Sequence, residues 1–111
     1  MIRIRVQRDR KGLIQQIKVT GHANFAEHGM DIVCAAVSAV TIGLVNAMEQ
    51  ITGVAVHQAD DGEGKVDCRM PAGLPSDVTA KLALLMEAMD LSLKGIADAY
   101  PDFITYNRKE V

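Results

Sequence analysis

Cys34 and His22 are the residues whose types best suit covalent chemistry in this chain. A thiolate is a strong nucleophile, and an imidazole within reach can take its proton and later return it to a leaving group. Both lie in the stretch from Gly21 to Ser38, which reads Gly-His-Ala-Asn-Phe-Ala-Glu-His-Gly-Met-Asp-Ile-Val-Cys-Ala-Ala-Val-Ser. An apolar helical stripe starts at Val33, so Asp31 is the expected N-cap and Cys34 falls in the first turn. There, unpaired amides and the helix macrodipole favour a thiolate and offer donors to a developing oxyanion. Asp31 also brings a negative charge that opposes the thiolate, so it reads as structural or as an orienter of histidine.

Each of these residues has a plainer reading. A cysteine in an apolar helix is usually an inert core residue, and by spacing alone that reading outweighs catalysis. A histidine at a strand end is more often a hydrogen-bonding turn residue than a base. Ser38, one turn beyond Cys34, either orients the site or bonds a backbone carbonyl. Cys68 shares a strand face with Val66 and Met70, opposite Lys65, Asp67 and Arg69, and reads as core. His28 and His57 have no clear partner and read as surface or supporting residues. His22, His28 and Cys34 have zinc-compatible chemistry, but their spacing matches no compact zinc motif. Cys-x-x-Cys, His-Glu-x-x-His and glycine-rich phosphate loops are all missing from the sequence, so no metal and no cofactor is expected.

The elements that must hold these residues are legible from periodicity. Met1–Val6 alternates as a half-buried strand does, Asp9-Arg-Lys-Gly12 supplies a turn, and Leu13–Thr20 returns as a second strand. In that strand Leu13, Gln15, Ile17 and Val19 share the expected core face. A first helix carries Val33, Val37, Val40, Leu44, Met48 and Ile51, with Thr52-Gly53 as its stop. Its opposite flank is a ridge of Ala35, Ala39, Gly43 and Ala47 beside Ile42, which the second helix or the same helix of another copy should cover. Val54–His57 and Lys65–Met70 read as two more strands around the turn Asp60-Asp-Gly-Glu-Gly64. A second helix, capped by Ser76, shows Val78, Leu82, Leu85, Met89, Leu93 and Ile96, and stops before Pro101. Phe103–Asn107 is the last strand. The order ββαββαβ predicts an α+β sandwich, two main helices packed on a mostly antiparallel sheet, in a single domain over residues 1–111.

Composition narrows the class. With 49% hydrophobic and 23% charged residues the chain is neither disordered nor fibrous. A net charge of −2 argues against a direct nucleic-acid partner, and Arg3, Arg5, Arg8, Arg10 and Lys11 read as a solvated strand face and turn. Two cysteines without a secretory leader indicate a reducing compartment, with the cytoplasm as the expected location. The uncharged run from Ile32 to Met48 is shorter than the ~20 residues a bilayer span needs, so it reads as a buried helix and no membrane partner is expected.

Gly21-His22-Ala, followed by Gly29-x-Asp31-Ile-Val-Cys34-Ala-Ala-Val-Ser38-Ala, resembles the ribosomal-processing cysteine protease family, Prp. The order of elements and the chain length also agree with that family. The resemblance implies Cys34 as nucleophile and His22 as base, with Gly21, Asp31 and Ser38 supporting them. It implies a substrate-binding loop from Ala23 to Met30, for which the glycines at 21 and 29 make hinges conceivable. It further implies a homodimer that removes a short N-terminal extension from a large-subunit ribosomal protein precursor, cutting after a hydrophobic, aromatic-containing stretch. It assigns no part to Cys68. A non-enzymatic, ribosome-associated binding module, suggested by the basic first strand, is the rival expectation.

Overall fold

The structure, a computed structural model, describes residues 1–21, 30–58 and 66–110, residues 30 and 31 by backbone alone. Its elements are β1 (Ile2–Arg8), β2 (Ile14–Thr20), α1 (Met30–Thr52), β3 (Val66–Arg69), α2 (Ser76–Ala99) and β4 (Ile104–Glu110). The strands form one sheet in the order β3-β2-β1-β4. β2 is antiparallel to both β1 and β3, whereas β4 joins β1 in parallel. The expected α+β class, two helices on a mostly antiparallel sheet, is therefore what the chain forms.

The element order is ββαβαβ rather than ββαββαβ, because Val54–His57 does not become a strand. It touches the sheet at one bridge, His57 opposite Cys68, flanked by Gln58 N–H to Asp67 O at 2.8 Å and Arg69 N–H to Val56 O at 2.9 Å. The ladder stops because Val56 donates its own N–H to Glu49 Oε2 at 2.9 Å instead of returning a bond to Arg69. The expected turn at 60–64 lies outside the described residues.

Alternation in β1 sends Ile2, Ile4 and Val6 into the core and leaves Arg3 and Arg5 exposed. In β2 the core residues are Ile14, Ile17 and Val19, not Leu13 and Gln15. The register explains this: Gln7 faces Gln16 but Arg8 faces Ile14, so Gln15 is the extra residue of a bulge and the inward face switches. α1 buries Val33, Val37, Thr41, Val45 and Met48. Its other flank is open, with Ile32, Ala35, Ala39, Ile42 and Gly43 exposed. The expectation of a wholly buried helix is thus too strong. The helix also continues past Met48, and Ile32–Thr52 is long and apolar enough, by length and composition, to cross a membrane. α2 packs against α1 and buries Leu82, Met86, Met89, Leu93 and Ala97. Pro75, not Ser76, precedes its first turn, and no side chain caps that end.

Arg8 is not part of a solvated face. It is 6% exposed and ties the far end of β1 to α2, bonding Asp90 at 2.9 Å, Glu87 at 3.0 Å and the Gly12 carbonyl at 2.8 Å. Tyr106 of β4 donates its hydroxyl to Asp90. The bond from Arg8, reinforced by its charge, holds the Glu87 carboxyl below the usual carboxylate range despite partial burial. Burial, with Asp90 as acceptor, pushes the Tyr106 phenol up.

Candidate active site

At the opposite end of β1, the sheet and α1 diverge and leave a cleft of about 140 Å³. Its walls are Ile2, Val19 and Gly21 from the sheet side, Cys34, Val37, Ser38 and Thr41 from α1, and Val66 of β3. Apolar pairing of β1 and β2 fixes the sheet wall, because Ile2 and Val19 are core residues on adjacent strands. Helical spacing fixes the other, since Cys34, Ser38 and Thr41 recur at steps of four and three. Cys34 is half-buried, packs against the core and lines the cleft.

Gly21 is the pivot of the arrangement. Its φ is +82°, a left-handed conformation, and a Cβ there would sit 2.2 Å from the Met1 carbonyl oxygen. No other residue type meets both conditions. The chain therefore leaves β2 through a turn pressed against the first residues of β1, at the wall of the Cys34 cleft. This close approach is why the position requires glycine.

α1 starts at Met30, one residue ahead of Asp31, so Asp31 stands inside the helix rather than flanking it. Residue types suggest a cap, but backbone torsions decide where the helix starts. Cys34 is then the fifth helical residue, and its own N–H belongs to the i to i−4 ladder, bonded toward Met30. The dipole's influence falls off within the first turn. Cys34 therefore lies beyond the four residues whose amides a helix start leaves unpaired, one position deeper than the first turn the sequence implies. Met30, expected at the end of the substrate-binding loop, is already helical. His22, His28 and the rest of that loop, residues 23–29, lie outside the described residues.

A second hollow, of about 180 Å³, shares the Val66 wall and continues along α1 past Ile42, Val45, Asn46 and Glu49 to His57. Cys34, Ser38, Ile42 and Asn46 follow one another at four-residue steps, so the two hollows line one flank of the helix. The i+4 spacing from Cys34 was available to find Ser38 and Ile42. Ile2, Val19 and Val66 come from strands distant in sequence, and no local signal marks them. His57 sits on the rim of the second hollow, away from the thiol, and its N–H points to Glu49 Oε2 at 3.4 Å.

Cys68 is a different thiol. It is fully buried in β3, opposite Ile17, and burial, with the charges of Asp67 and Glu49, pushes its pKa up to about 12. The two cysteines form no disulfide. Among the described residues no three His, Cys, Asp or Glu side chains converge to hold a metal ion.

Comparison with known proteins identifies the family of the chain. The sequence model of the family described as cysteine protease Prp matches residues 1–105. The ribosomal processing cysteine protease Prp of Bacillus subtilis is 39% identical over 104 residues, 92% of each chain. Among solved structures, a Streptococcus mutans protein superposes with a TM-score of 0.83 at 33% identity, covering 100% of this chain and 96% of that one. The ribosomal processing protease Prp of S. aureus, solved in complex with a substrate peptide, superposes with a TM-score of 0.77 at 30% identity, covering 98% of this chain and 100% of that one.

Proposed function

Because this chain belongs to the cysteine protease Prp family, we propose that Cys34 is its nucleophile and His22 its general base and acid. The substrate in this reading is the N-terminal extension of a large-subunit ribosomal protein precursor, cut after a hydrophobic, aromatic-containing stretch. The observation that supports it is the shared cleft: the half-buried Cys34 and Gly21, the residue that precedes His22 in the sequence, line the same hollow.

In the reaction, His22 takes the Cys34 proton and the thiolate attacks the scissile carbonyl. The tetrahedral intermediate collapses to a thioester as the imidazolium protonates the departing amine. Water, deprotonated by His22, then attacks the thioester, releasing the acid and restoring the thiol. Ser38, one turn along on the same wall, supports the substrate or the thiol, and Asp31 serves the helix start or orients His22. The loop from Ala23 to Met30 binds the substrate peptide in this reading.

The flank of α1 from Cys34 to Glu49 is about 22 Å long, enough for roughly six extended residues. Its lining of Ile42, Val45 and Val66 suits apolar side chains, with Asn46 and Glu49 on the rim for polar ones. A hydrophobic stretch ahead of the cut fits that groove.

The protein acts as a homodimer in the cytoplasm in this proposal, as one domain. α2 leaves Ala35, Ala39 and Gly43 exposed, so a second copy is the element that covers the small-residue ridge. Light scattering should give twice the chain mass, and Gly43→Glu should halve it.

The catalytic reading is tested by incubating the precursor with the protein and reading masses. A product shortened at its N-terminus is expected, with none from Cys34→Ala. Undiminished cutting by Cys34→Ala overturns the assignment.

A further inference from the structure

One face of the sheet is covered by the helices, and the other carries a concentration of positive charge that the net charge of −2 hides. Register places Arg3 and Arg5 of β1, Lys18 of β2, Arg69 of β3 and Lys109 of β4 on this face, between Gln7, Gln16, Thr20, Thr105 and Asn107. Seven side chains, Arg5, Gln7, Gln16, Lys18, Arg69, Asn107 and Lys109, line a shallow depression of about 540 Å³ there. Among the described residues the only carboxylate on the face is Asp67. Gln16 at 2.8 Å and Arg69 at 3.1 Å already engage it.

Arg5 and Lys18 are direct cross-strand partners, and like charges set opposite one another destabilise a sheet, a cost that Asp67, facing Lys18 from β3, offsets only in part because Arg69 and Gln16 also engage it. Packing does not require either residue. The arrangement suits a polyanion, whose phosphates relieve the repulsion.

We propose that the open sheet face binds RNA through its phosphate and ribose backbone. Arg5 and Lys18 stand about 5 Å apart across the strands and Arg3 and Arg5 about 7 Å apart along β1, while Arg69 and Lys109 sit diagonally from them opposite Gln16 and Gln7, a spread of cations for successive phosphates. Gln7, Gln16 and Asn107 stand between them as amides that both donate and accept, matching the ribose 2′-hydroxyl that distinguishes RNA from DNA. Tyr106 points to the helix side, toward Asp90, so among the described residues the face has no aromatic ring for base stacking. Binding is consequently sequence-independent and steeply dependent on salt. The Cys34 cleft opens on the helix side of the sheet, so RNA and peptide occupy the protein together. The choice of RNA over another polyanion rests on the ribosomal substrate proposed above, since such a precursor meets the enzyme near ribosomal RNA.

Fluorescence anisotropy of the full chain with a labelled 16-nucleotide mixed-sequence RNA tests this, alongside a DNA of the same sequence and polyglutamate. Five phosphate contacts predict a loss of affinity on the order of 100-fold between 50 and 200 mM KCl. Arg5→Gln combined with Lys18→Gln should weaken RNA binding about tenfold or more at 50 mM and flatten the salt dependence. The double variant should melt no lower than the parent and cut the precursor at the same rate. No RNA binding at 50 mM overturns the proposal, as does undiminished binding by the double variant, or binding of DNA or polyglutamate as tight as RNA. Precursor cleavage on the same samples scores the protease reading separately: RNA bound without cleavage defeats that reading alone, and cleavage without RNA binding defeats this one alone.

Discussion

The region around Cys34 and the region around Cys68 hold the same chemical group in opposite conditions. Cys68 lies on β3, beside β2, and is fully buried against Ile17 and the core, with two carboxylates raising the cost of ionising it. Cys34 lies where α1 and the sheet part company, at a cleft whose sheet wall ends in a glycine that no other residue can replace. The difference shows how a fold this small keeps one thiol sealed and leaves another at a cleft: the sheet and α1 leave a gap beside the helix at Cys34 and none at Cys68. Depth in the core makes a cysteine structural, and a position at the edge of that core makes it available.

The largest expected effect separates the two thiols outright. Cys34→Ala should lower precursor cleavage by about 10⁴-fold or more in a single-turnover assay while the protein still folds. Gly21→Ala comes next. Its Cβ meets the Met1 carbonyl in a backbone conformation that alanine disfavours, so the β2 exit must shift. A displacement of about 1 Å can cost about 100-fold in rate, and kcat/KM should fall by that order. Thermal melting should show a smaller companion loss of about 1–3 kcal/mol. A normal rate in Gly21→Ala would break the link between that turn and the thiol.

Cys68→Ser should do the reverse of Cys34→Ala. A hydroxyl buried without room for water costs about 1–3 kcal/mol of stability in urea unfolding, with cleavage by the folded protein unchanged. The smallest effect comes from the polar cluster at the other end of β1. Arg8 lowers the folded pKa of Glu87, so the stabilisation from that pair is present above the unfolded carboxylate pKa of about 4.3 and fades as pH falls through the folded value. Glu87 is partly exposed, which screens the pair to a few tenths of a kcal/mol. Glu87→Gln should therefore reduce stability slightly at pH 7 and flatten its acid-side decline, with no change in cleavage.

Local patterns carried much of this into the sequence. Alternation in Ile2–Val6 and the 3.6-residue recurrence of Val33, Val37 and Met48 identify β1 and α1, and the glycine-histidine and Asp-Ile-Val-Cys stretches carry the resemblance to the Prp family that the family match bears out. Tertiary context decided the rest. Glu49, seven residues away, takes the amide that would have extended the Val56 ladder. The Gln15 bulge reverses which side of β2 faces inward, and parallel pairing of β4 with β1 joins opposite ends of the chain. Cap rules placed both helix starts late, by two residues at Asp31 and by one at Ser76, because residue type alone does not locate where helical torsions begin. Net charge obscured the cationic sheet face, which appears only when residues from four strands are brought into register.

The most direct test of the Cys34 account is limited alkylation of the native protein with iodoacetamide at pH 7, with peptide mapping and precursor cleavage followed together. The account predicts modification confined to Cys34, activity falling in proportion, and Cys68 untouched until the protein is unfolded. Cleavage that persists when Cys34 is fully modified, or activity that instead tracks modification of Cys68, would contradict it.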